Sequence, residues 1–180
     1  MRIHFEKAAL LVIDVQDSLI PHIYESEQMV EKVVWLCQLA QYLELPTVVS
    51  EHCVDKIGRT QAVITATAKN AQVFQKRSFS AVRDGLIERT LLKDQEHIIV
   101  CGIEAHVCVL QTCLDLLDKG KKVYVVRDAI SSRVLSNADL AVERLRQAGA
   151  SIVSTEMVAF ELMATAEHPC FSTVLKQLIK

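Results

Sequence analysis

Apolar positions follow two rhythms along this chain, and the alternation between them predicts its architecture. Six short runs, most of them apolar almost throughout, occupy residues 8–14, 46–50, 72–76, 97–101, 122–127 and 151–154. Near-continuous apolar runs of this length read as strands buried on both faces, as in a parallel sheet. Amphipathic stretches separate them at 28–43, 60–69, 83–92, 106–119 and 136–148, and two further helices, about 155–163 and 170–179, follow the last strand. Within 28–43 the apolar positions Val30, Val33, Val34, Cys37 and Ala40, with Tyr42 or Leu43, recur with a helical period. Strand and helix alternating from end to end predict an α/β fold with a parallel sheet.

The breaker residues agree with these bounds. Pro46 opens a strand after the 28–43 helix has ended. Gly120 and Gly149 stand where helix C-caps are needed, and Ser136 and Asn137 offer N-capping groups to the 136–148 helix. The least regular segment is 51–60, EHCVDKIGRT, predicted as a loop at the carboxyl edge of the sheet. No repeat, low-complexity tract or linker interrupts the 180 residues, so one domain over 1–180 is expected.

Composition narrows the function classes. Hydrophobic residues make up 51% and charged residues 23%, as in a globular domain with a buried sheet. A net charge of −2 offers no electrostatic basis for binding nucleic acid or an anionic membrane. No apolar run reaches the length of a membrane span, and the opening MRIHFEKAALLVIDV carries no signal-peptide cleavage pattern. A cytoplasmic protein is the expectation. The cysteines at 37, 53, 101, 108, 113 and 170 include no CxxC pair, so reduced thiols are expected rather than a zinc ribbon or redox pair.

Candidate chemistry gathers where strands end. The strand at 97–101 feeds a turn at Gly102, and a helix is predicted to start near His106, which puts Cys108 in its first turn. Free backbone N–H groups and the helix dipole there favour a thiolate and can hold an oxyanion. The first strand ends in Asp14, with Gln16 following, and the third ends in Lys76. Ligands of open α/β sheets collect at these carboxyl ends. An acid, a cation and a thiol at three such ends are the parts of covalent acyl transfer. Singly, each also reads as a solvated strand end, and Cys108 as helix packing.

Three strings carry a family resemblance: LLVIDVQ around Asp14, KRSFSA after Lys76 and GIEAHVCVLQT around Cys108. In order and spacing they resemble the motifs of the isochorismatase-like cysteine hydrolases, over about Ala8 to Phe160. The resemblance implies a doubly wound, mainly parallel six-stranded sheet with helices on both faces and the site at its carboxyl edge. It implies that Asp14, Lys76 and Cys108 hydrolyse a small amide-like or related carbonyl compound through a thioester on Cys108. It also implies a cis peptide between Ile103 and Glu104, which aims the backbone N–H groups of Glu104 and Cys108 at the oxyanion. Gln16, Glu51, His52 and Phe79 are the candidate substrate contacts.

Some amidases of this family bind a metal through an Asp-x-His pair after the second strand. Here that stretch reads Ser50–Glu51–His52–Cys53, so no metal and no cofactor is expected. The family's vinyl-ether hydrolases lack the nucleophilic cysteine, which sets this chain apart from them. G-x-S-x-G, dinucleotide and P-loop motifs are absent. Two other readings stand beside the hydrolase: a non-catalytic oligomeric scaffold, and a thiol redox sensor using Cys108. The apolar residues Met157, Val158, Phe160, Leu162 and Met163 predict a homo-oligomer, unless the final segment covers them.

Overall fold

The computed structural model describes residues 2–180. All six predicted strands form, as β1 (Ala8–Ile13), β2 (Thr47–His52), β3 (Gln72–Lys76), β4 (His97–Gly102), β5 (Lys122–Ile130) and β6 (Ser151–Val153). They build one sheet in the order β3-β2-β1-β4-β5-β6 with every neighbouring pair parallel. The chain winds outward from β1 to β3, then returns to the other side of β1 as β4. Loops leaving β1 and β4 therefore part in opposite directions, and a crevice opens at their carboxyl ends.

Helices cover both faces of the sheet. They are α1 (Ser26–Leu43), α2 (Val54–Ile57), α3 (Ala62–Thr67), α4 (Leu86–Arg89), α5 (Leu110–Asp118), α6 (Leu135–Gln147), α7 (Thr155–Met163) and α8 (Phe171–Val174). Strand side chains alternate between the layers. Leu10 and Val12 of β1 join the core under α1 and α7, whereas Leu11 and Ile13 join the core under α5 and α6. Burial on both faces explains why these strands read as continuous apolar runs.

Departures from the predicted bounds have local causes. The 83–92 helix breaks into a 3-10 turn (Ala81–Asp84), α4 and a second 3-10 turn (Leu91–Asp94), because Gly85 is left-handed at φ 87° and Thr90 is extended. Helix α6 starts with Val134 at its N-cap, so Ser136 and Asn137 lie inside the first turn and do not cap it. Gly120 and Gly149 take positive φ at helix ends, as predicted. On α7, Val158, Leu162 and Met163 are buried, and Phe160 packs against Phe171 of the returning C-terminal segment. Met157 and Phe160 remain largely exposed.

One glycine sets how closely β1 and β4 approach at the crevice. Gly102 pairs with Ile13 at φ 117°, and a Cβ there would lie 2.1 Å from the Ile13 carbonyl oxygen. Only glycine fits.

Candidate active site

Asp14 leaves β1 in the left-handed region, at φ 53°, a conformation aspartate adopts more readily than most residues. Its N–H donates to the Ser50 carbonyl at 3.1 Å, and the Ser50 hydroxyl donates to Oδ1 at 2.7 Å. Lys76, the last residue of β3, brings Nζ to 2.6 Å from Asp14 Oδ2, and neither side chain is more than 1% exposed. The ammonium also donates to the Ser78 and Phe79 carbonyls, at 3.1 and 3.0 Å. That turn is held in shape by Asp84, which accepts from the Arg77 N–H, the Ser78 N–H and the Ser78 hydroxyl. A buried ion pair of this kind is held only where further hydrogen bonds satisfy its members. Asp14 Oδ2 meets the lysine as an ion but accepts no hydrogen bond among the described residues.

Cys108 completes the cluster. It sits in a π-helical turn, Ala105–Val109, that leads into α5, and its thiol is close enough to Asp14 and Lys76 for both charges to act on it. Single π turns interrupt helices often at functional sites. The expectation of an acidified thiol is corrected here. Burial, and then the Asp14 carboxylate, push the Cys108 thiol up to about 12, and the opposing pull of Lys76 is weaker. The resting thiol is neutral.

The turn before it contains the cis peptide Ile103–Glu104. Ile103 N–H donates to the Ile13 carbonyl and Ala105 N–H to the Ser131 carbonyl, whereas Glu104 N–H, between them, makes no backbone hydrogen bond among the described residues. The Glu104 side chain accepts from Arg133, through N–H and Nε, and so has a structural partner. His106 bonds through Nδ1 to the Ser132 hydroxyl at 2.9 Å.

Thiol, carboxylate and ammonium thus meet at the switch point of a doubly wound parallel sheet, on the ends of β1, β3 and β4. The model of the isochorismatase domain matches residues 8–157. The chain belongs to the isochorismatase family. A secreted isochorismatase effector, Isc1, of Phytophthora sojae is 38% identical over 179 residues, spanning 96% of this chain and 84% of that protein. Among solved structures, a protein described as MAR1 ribonuclease from Caenorhabditis elegans superposes with a TM-score of 0.91 at 34% identity, covering 100% and 93% of the two chains. The Escherichia coli YcaC product, described as an octameric hydrolase of unknown specificity, shares the fold with a TM-score of 0.86 at 23% identity, covering 99% and 91%.

In this isochorismatase-family chain the remaining predicted contacts also have partners within the protein. Gln16 is fully buried. Its amide donates to the His52 and Gly58 carbonyls at 2.9 and 2.6 Å and accepts from the His52 N–H at 2.7 Å. Glu51 is also buried and accepts from the Thr60 N–H and hydroxyl, with Arg59 3.7 Å away. Gln16 and Glu51, expected as substrate contacts, both hydrogen-bond to the segment after β2. His52 is half-buried, with Nδ1 3.5 Å from Lys76 Nζ and its ring against Phe79 at 5.6 Å. Phe79 is 53% exposed beside the site.

Sequence reasoning missed Ser50, Asp84 and the constraint on Gly102. Ser50 alone carried a signal, as a hydroxyl in a strand buried on both faces must find a partner. Among the described residues no three His, Cys, Asp or Glu side chains gather as ligands for a metal ion.

Proposed function

We propose that this protein is a cysteine hydrolase, working without metal or cofactor on a small amide-like or related carbonyl compound. The observation that supports it is the buried Asp14 Oδ2, ion-paired with Lys76 and short of a hydrogen bond, in a carboxylate whose charge acts on the Cys108 thiol. A neutral thiol needs a base in contact with it, and a carboxylate with an open lone pair is one. Asp14 takes the thiol proton as sulfur bonds to the acyl carbon. The Glu104 and Cys108 N–H groups hold the oxyanion. Collapse breaks the carbon–nitrogen bond, and Asp14 returns its proton to the leaving amine. Water then attacks the thioester with Asp14 as base, the acid leaves, and the proton goes back to sulfur. Lys76 supports each anionic form of the pair. Phe79 serves as an apolar wall for the substrate.

The same reading treats the chain as one hydrolase domain acting in the cytoplasm as a homo-oligomer, with all six thiols free. Among the described residues no helix is long and apolar enough to cross a membrane. The Phytophthora sojae relative is named as secreted, and that description belongs to that protein.

Intact-mass measurement after incubation with a panel of small amides, with a strong chelator present, tests the proposal. An acyl adduct on Cys108 is expected, with hydrolysis lost in Cys108→Ala and largely kept in Cys113→Ala, whose thiol is buried away from solvent. Equal activity in the two folded variants, or activity that chelation abolishes, would overturn it.

A further inference from the structure

We propose that His52 is a positioning residue for Lys76: its neutral imidazole accepts, at Nδ1, a hydrogen bond from the lysine ammonium as Asp14 takes the proton of the thiol. This rests on the hydrolase reading given above. An ammonium has three N–H groups. Two of those on Lys76 go to the Ser78 and Phe79 carbonyls, and the third lies between Asp14 Oδ2 at 2.6 Å and His52 Nδ1 at 3.5 Å. When Asp14 becomes protonated its charge is gone and it holds the third N–H less strongly, in a place where the lysine side chain has no exposure. His52 Nδ1 is the second acceptor on that side of the ammonium.

Three constraints keep the imidazole there. His52 stands beside Lys76 in the β2–β3 register. Gln16 clamps its N–H and carbonyl from both sides. Phe79 lies against the ring. With Nδ1 accepting, the ring proton belongs on Nε2. The charged groups around the ring are Lys76 at the end of β3, Asp14 beyond β1 and Asp84 in the turn after β3. Burial and Lys76 lower the affinity of His52 for a second proton, against the opposing pull of both acids. Once protonated, Nδ1–H points at an ammonium, and the acceptor is lost. Acid thus disables the site by a route separate from protonation of Asp14. The plain alternative is that His52 and Phe79 are only a packing pair.

Peptide-resolved alkylation of Cys108 by iodoacetamide, on the full chain from pH 5 to pH 8, separates the two. Glutamine offers a carbonyl acceptor that does not titrate, whereas phenylalanine keeps the packing without the acceptor. His52→Gln is expected to react within about twofold of the wild type at pH 8, and to gain on it by about threefold or more at pH 5. His52→Phe is expected to be slower by about tenfold throughout, the order of one hydrogen bond to a charged group. A His52→Gln to wild-type ratio that stays constant from pH 5 to pH 8 would overturn the proposal. So would wild-type reactivity in His52→Phe. If the phenylalanine variant fails to fold, the glutamine ratio still decides. Alkylation reads the thiol without a substrate, so failure of the hydrolase reading shows separately, as amide turnover surviving in Cys108→Ala.

Discussion

At the scale of single residues the site is held together by what burial does to charge. Asp14 and Lys76 are both removed from water and hold each other, while the thiol near them stays protonated. A cysteine of this kind reacts only as fast as its proton can leave, which makes an adjacent carboxylate part of the nucleophile rather than an accessory to it. The backbone around the trio is just as constrained. Gly102→Ala would drive a methyl group into Ile13 and force L-residue strain at φ 117°. We expect it to cost about 3 kcal/mol or more in urea denaturation, with Cys108 acylation lost even where the fold survives. Wild-type stability and acylation in that variant would mean that β1 and β4 can part without harm. Asp14, Lys76 and Cys108 were legible in the sequence because each ends or follows a strand. Ser50 carried only the general signal of a buried hydroxyl, and Asp84 none, since folding decides which partner each one meets.

Elements supply the convergence. No two of the three residues share an element, and only the order β3-β2-β1-β4 brings their strand ends side by side. The opposite edge of the sheet carries a different consequence. His97 opens β4 fully buried, and its Nδ1 accepts from the His4 N–H and lies 3.0 Å from the Tyr124 hydroxyl at the start of β5. Burial, then the Lys122 and His4 charges, lower its proton affinity below that of an ordinary histidine. A histidine with a lowered folded-state pKa binds protons more readily when unfolded. Its contribution to stability is complete above the ordinary value near 6.5 and is lost as pH falls from there through the folded value. The urea midpoint should therefore fall between pH 7 and pH 5. His97→Asn, which keeps a side-chain acceptor and removes the titration, should fall less. Parallel decline in the two proteins would refute this assignment.

For the molecule as a whole, two cores on opposite faces of one sheet bury the apolar side of most helices. Helix α7 is one that bears on assembly. Val158, Leu162 and Met163 are buried in the core shared with α1, and Phe160 meets Phe171 of the C-terminal segment, yet Met157 is 55% and Phe160 45% exposed. Large apolar side chains left outward on one helix favour association. Light scattering over a dilution series should give a mass that is a multiple of 20.1 kDa. A mass that stays at the single-chain value at every concentration would show that these two residues face solvent alone.

The sequence by itself determined the strands, their parallel arrangement and the residues at their ends, because buried strands and helix faces leave one-dimensional rhythms that need no partner to be read. Family membership was legible for the same reason, in three short strings. Tertiary structure alone decided which partners the polar side chains meet. Gln16 and Glu51 stand close to Asp14 and Ser50 in the chain, and their hydrogen bonds run to His52, Gly58 and Thr60. The protonation of Cys108 was decided there too. A helix start seen in sequence promises an acidic thiol, but the packed protein buries that thiol beside a carboxylate, and both effects raise it.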